Sequence, residues 1–208
     1  MRGALLLALA ALAAPAQAEP AGPVFPPAEI AGWTPRAFEG ETRYGLGEIG
    51  GGPAVRAVCD ASASGLFLER RIDLTETPVI EWRWRVERPI PAAPDETAKG
   101  GDDFAARIYA VRRGLLPWQS RAVNYVWAAR QPEGASWANP YLSQNAMLAV
   151  GSGAAEGWQT HRRNLRDDFR RLHGEEVDAI DGLAVMTDCD DTGATAEAWY
   201  GEIRFLPE

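Results

Sequence analysis

The sequence is short of several things, and each shortage removes a class of function. Of its 21 lysine and arginine residues only Lys99 is a lysine, and 29 acids leave a formal charge of −8 over 208 residues. An acidic chain lacks the basic face that displaces counterions from phosphates, which argues against nucleic acid as a partner. There are two histidines, His161 and His173, without the HExxH spacing of a metal centre, and no GxSxG nucleophile elbow. The two cysteines, Cys59 and Cys189, form no CxxC motif. No internal repeat is visible. The longest apolar run, Ala4 to Ala14, is too short to span hydrocarbon.

Apolar residues, by contrast, make up 46% of the chain and charged residues 24%, enough for a packed core and far from a disordered composition. One domain is the expectation at this length. At the N-terminus a cation, Arg2, precedes the apolar run, followed by Pro15 and the small-x-small site Ala16-Gln17-Ala18. This is the pattern of a cleavable signal peptide over residues 1–18, with a retained membrane anchor as the alternative. The mature chain is therefore expected in the periplasm or outside the cell, without a transmembrane segment. In such an oxidising compartment Cys59 and Cys189 pair as a disulfide, or remain two separately buried thiols.

Residues 19–31 hold Pro20, Pro23, Pro26 and Pro27, a lead-in too proline-rich for helix or sheet interior. A single domain over residues 32–208 is expected to follow. Val79 to Glu87 is the clearest strand, with Ile80, Trp82, Trp84 and Val86 alternating with Glu81, Arg83, Arg85 and Glu87. Asp103 to Val111 repeats the pattern less cleanly. Further strands are expected over 54–60, 65–72, 122–128, 146–150, 157–162, 182–187 and 197–205. One helix fits, capped by Asn164, with Leu165, Phe169 and Leu172 on one face and Gly174 ending it. Many short strands with one helix cannot form a parallel α/β sheet, which needs a crossover after nearly every strand. They predict a mainly β fold, a two-sheet antiparallel sandwich of jelly-roll type.

Several stretches together resemble the bacterial exported family known as domain of unknown function 3047. They are Phe38-Glu39-Gly40 with Thr42 and Tyr44, SASGL (62–66), WRWRV (82–86), GDDFAARIY (101–109), NYVW (124–127) and WANPY (137–141). RRNLRDDFRRLHG (162–174), AVMTDCDDTG (184–193) and AWYGEIRF (198–205) complete the set. The resemblance implies a sandwich similar to carbohydrate-binding modules and carries no assigned activity.

Three constellations have the residue types for recognition. If the strands at 79–87 and 103–111 are neighbours, Arg83 and Arg85 share a polar face with Asp103, Arg107 and Tyr109. Arginine forks and aromatic rings suit sugar hydroxyls and carboxylates; a salt-bridged solvent face is the alternative. Among the tryptophans, Trp82, Trp84, Trp127 and Trp199 read as core, whereas Trp118 and Trp137 sit among loop residues and are candidates for an exposed stacking surface. The loop Asp188-Cys189-Asp190-Asp191-Thr192-Gly193 opens like a calcium loop but has Trp199 where the final glutamate belongs. Calcium held by Asp188, Asp190 and Asp191 stands against a plain Asx-rich turn. The expected function is non-catalytic binding of a polysaccharide, another polyhydroxylated ligand or an envelope component. A glycan-active lyase or hydrolase on the same face is the first alternative, with His161, Tyr109 and Arg107 as base, acid and charge neutraliser. A protein-partner module is the second.

Overall fold

The computed structural model describes residues 22–91, 95–154 and 156–208. The segment read as a signal peptide and the first residues of the lead-in lie outside them. In chain order the elements are β1 (Val24–Phe25), α1 (Pro27–Ile30), β2 (Thr34–Glu39), β3 (Arg43–Ile49), β4 (Gly52–Asp60), β5 (Ala63–Asp73) and β6 (Val79–Arg88). There follow β7 (Arg107–Arg112), β8 (Arg121–Ala128), β9 (Ser136–Ala138), β10 (Asn145–Ser152), β11 (Gln159–Asn164), α2 (Leu165–His173), β12 (Ala179–Asp188) and β13 (Thr195–Leu206). The fold is mainly β, as expected. One sheet has the order β11-β6-β13-β4-β3 with β1 beside β13, and the other β2-β5-β12-β7-β8-β10-β9. Among the described residues no helix is long and apolar enough to cross a membrane.

Alternation builds the core between the sheets. Trp82, Trp84 and Val86 of β6 point inward, as do Ile108 and Ala110 of β7 and Leu183 and Val185 of β12. Trp82 stacks on Tyr125 of the opposite sheet, with ring centroids 4.9 Å apart. In β13 the register shifts between Tyr200 and Ile203, which keeps both residues buried. Gly201 in this bulge lies under Arg83, where a Cβ would stand 2.4 Å from Arg83 Cγ. Cys59 of β4 and Cys189, just beyond β12, form a disulfide that staples one sheet to the other. The helix α2 has the ends read from its sequence: the Asn164 side chain accepts from Asp167 N, and Gly174 closes it at φ 67°.

Several details depart from the sequence reading. The lead-in packs onto the sandwich: Pro27 takes the first turn of α1, where its fixed φ and missing N–H cost nothing, and Phe25 and Ile30 are fully buried. Trp199, expected in the core, faces outward and half-buried, because Ala198 and Tyr200 on either side of it take the inward positions. It rests on Gly47 and under the Arg56 guanidinium. One pairing, β8 with β10, is parallel; β9 and its turn intervene, so β10 returns in the direction of β8. The strand expected from Asp103 begins only at Arg107. Asp103 instead caps the acidic loop, and Phe104 packs with Val126, Ala128, Met147 and Ala149.

Candidate ligand-binding cleft

The strand that reads Arg107-Ile108-Tyr109-Ala110-Val111 sends Ile108 and Ala110 into the core and leaves Arg107, Tyr109 and Val111 on the outer face of the seven-stranded sheet. On the neighbouring strand β12 the outward residue opposite Tyr109 is Ala184, and Ala184 is also opposite Phe67 of β5. A methyl at this position lets the two flanking rings lean toward each other. Phe67 and Tyr109 close over it, with centroids 6.2 Å apart, and form the floor of a cleft of about 580 Å³.

Edge strand β2 supplies one wall. Phe38 is 63% exposed and meets Phe67 edge-on at 6.1 Å, while the Arg36 guanidinium lies 5.0 Å from the Phe67 ring centre. The facing wall is the turn between β9 and β10, which Asn139 holds in shape. Its Oδ1 accepts from Tyr141 N at 3.0 Å and Leu142 N at 2.9 Å, and its Nδ2 donates to Asp102 Oδ2 at 2.7 Å. Tyr141 is thereby presented 52% exposed, and its hydroxyl donates to Asp191. That bond to a carboxylate, with some burial, pushes the Tyr141 phenol up to about 12.

One end of the cleft is crowded with carboxylates. Arg107 Nη2 donates to Asp188 Oδ2 at 2.6 Å and to the Asp102 carbonyl at 2.9 Å, and Nη1 donates to the Tyr109 hydroxyl at 2.8 Å. Burial works against charge on this guanidinium, but Asp188, Tyr109 and Asp102 together more than offset it, while burial raises the Asp188 carboxyl well above the ordinary range. Burial also pushes the Tyr109 phenol up to about 12. Asp103 accepts from Thr192 N and Oγ1, each at 2.6 Å, and so fixes the loop that carries Asp190 and Asp191. Burial first, and crowding by like charges after it, raise the carboxyls of Asp102, Asp190 and Asp191 above the ordinary range.

The residues singled out from the sequence are divided by this arrangement. Asp103, Arg107 and Tyr109 do belong together, at the cleft or directly behind it. Arg83 and Arg85 do not join them: β6 pairs with β11 and β13 in the other sheet, so the shared polar face expected from neighbouring strands is not formed. Arg83 stacks on Trp158 at 4.7 Å and Arg85 pairs with Glu87. Trp137 lies half-buried against Phe104 with its indole nitrogen enclosed, whereas Trp118 is 61% exposed. Asp188 is turned to Arg107, and the carboxylates that come together are Asp103, Asp190 and Asp191, with ligand atoms within 4.8 Å of one another. His161 stands in the six-stranded sheet, stacked on Trp82 and accepting from Trp84 Nε1 at 2.9 Å, so the base–acid–neutraliser trio with Tyr109 and Arg107 is not assembled.

The cleft also contains residues that the sequence did not single out: Phe38, Phe67, Asp102, Asn139 and Tyr141. Phe67 left a signal, because in Leu66-Phe67-Leu68 both faces of one strand are apolar, so an aromatic ring has to face outward. Phe38 and Asp102 lie within Phe38-Glu39-Gly40 and GDDFAARIY, stretches that carry the family resemblance.

The family described as Protein of unknown function (DUF3047) matches residues 31–204. No curated protein matches the chain. Among solved structures, the family 30 carbohydrate-binding module of a cellulosomal cellulase of Clostridium thermocellum is similar at 14% identity and a TM-score of 0.46, covering 85% of this chain and 94% of that one. A low affinity xylan binding module from Roseburia intestinalis is similar at 10% identity and a TM-score of 0.37, covering 90% of this chain and 96% of the other.

Proposed function

The chain belongs to the DUF3047 family, and from that premise and the cleft we propose that it is an exported, non-catalytic domain that binds a polysaccharide or another polyhydroxylated ligand. One observation carries the reading: a 580 Å³ cleft with aromatic rings on its floor and on both walls, and with polar groups between them. A sugar ring has apolar C–H faces that stack on aromatic side chains and a rim of hydroxyls that both donate and accept. Phe38, Phe67 and Tyr141 offer the faces; Arg36, Asn145 and Asp191 offer partners for the rim. Binding without bond cleavage is supported by the state of the floor, where Arg107, Asp188 and Tyr109 already hold one another. Export is supported by the Cys59–Cys189 disulfide, a bond kept in oxidising compartments.

The reading is tested by thermal shift and calorimetry of the purified protein against a panel of neutral and charged oligosaccharides. A ligand at a hundredfold excess over its Kd adds about 2.7 kcal/mol of stability. Phe38→Ala and Tyr141→Ala are each expected to weaken binding about tenfold, the loss of one stacking surface, with the melting temperature of the free protein little changed. Chromatography of the incubated ligand is expected to yield no shortened product. Equal affinity in both variants would remove the cleft from the function.

A further inference from the structure

The charge in the cleft is unevenly distributed, and the imbalance bears on which glycan it takes. At the acidic end Arg107 is matched to Asp188. Among the described residues no cation lies within ion-pair distance of Asp103, Asp190 or Asp191, two of which line the cleft. Asp102, also in the wall, is only 6% exposed; Asn139 satisfies Oδ2, while Oδ1 has no hydrogen-bond donor and lies 3.9 Å from the occupied Arg107 Nη2. A buried carboxylate oxygen without a donor is costly, and like charges packed beside it add to the cost. Both costs fall when a cationic N–H donor is seated at this end. The fold itself places one ammonium nearby: Lys99, the only lysine, puts its Nζ 5.0 Å from the centre of the Tyr141 ring, whose hydroxyl bonds Asp191.

We infer that the cleft selects a glycan carrying free amino groups, an oligomer of glucosamine or a similar aminosugar, whose ammonium sits among Asp102, Asp190 and Asp191 while its ring faces meet Tyr141 and Phe67. The inference rests on the glycan-binding reading and deepens it. An N-acetylated oligomer keeps the same shape and stacking faces but has lost the charge, and a uronate oligomer brings a charge of the wrong sign. Charge-assisted hydrogen bonds in a partly enclosed site are about twice as strong as neutral ones, so the selectivity should be measurable.

The experiment is calorimetry of the full protein with glucosamine and N-acetylglucosamine oligomers of equal length, at low and raised salt. Glucosamine oligomers are expected to bind about tenfold tighter, and salt to narrow the gap by screening. Asp190→Asn with Asp191→Asn should abolish the preference, with cooperative thermal unfolding reporting that the variant is folded. Glu133→Gln with Glu156→Gln removes the same charge away from the cleft and should leave the preference intact. Equal affinity for the two oligomers overturns the inference and spares the binding reading. Equal loss of preference in both double variants reduces it to bulk charge and overturns it too. Calcium that raises the melting temperature of the wild type but not of Asp190→Asn/Asp191→Asn assigns the acids to a metal, against the inference. Failure of every glycan, charged or neutral, removes the binding reading and this inference with it.

Discussion

His161 illustrates how a polar side chain can serve a core. Its ring packs against both Trp82 and Trp84, and its Nε2 accepts the Trp84 indole N–H, which requires that nitrogen to be unprotonated. Burial lowers its pKa from 6.5 to about 4. The unfolded chain therefore takes up a proton between these values while the folded chain does not, and stability falls as pH drops from 6.5 toward 4. The difference in melting temperature between wild type and His161→Phe, followed across that range, should shrink as pH falls; a constant difference would contradict the neutral assignment. Arg107 has the opposite character, a charge kept by its partner. Arg107→Met leaves Asp188 buried without its cation and is expected to cost about 3–5 kcal/mol in denaturant unfolding. The double variant Arg107→Met/Asp188→Leu should recover part of that loss, since removing both charges removes the uncompensated one.

Among the elements, the acidic loop after β12 has the most tasks. Cys189 ties it to β4, Asp103 caps its turn, and its next two residues border the cleft. Replacing Cys59 and Cys189 by alanine should lower stability by about 2–5 kcal/mol, measured against the oxidised wild type. Because the loop would lose its anchor to the opposite sheet, ligand affinity is expected to fall as well. How far such elements were legible depends on what marks them in sequence. The strand at 79–88 and the helix at 165–173 announce themselves through alternation and through Asn164 and Gly174. Strand β2 does not, because an edge strand with exposed residues such as Thr34-Pro35-Arg36 has no apolar face to alternate. Alternation also states which way Arg83 and Arg107 point without stating which strands lie beside them. For that reason two correct facings were joined into a face that the topology keeps on two sheets.

For the whole molecule, composition and strand spacing were enough for a two-sheet sandwich, and the pairing of cysteines 130 residues apart agreed with it. The cleft was only half legible. Arg107, Tyr109 and Asp103 were readable as a polar cluster on one strand and its approach, but the aromatic floor beside them has Phe67 and Tyr109 meeting over Ala184, a juxtaposition of three strands far apart in sequence. The pairing of β1 with β13 governs how the domain would be mounted. Val24 lies opposite Arg204, so the first strand and the last meet in the six-stranded sheet. Anything fused before or after the domain would share that one corner of the sandwich. The cleft opens on the far sheet and would face away from the point of attachment.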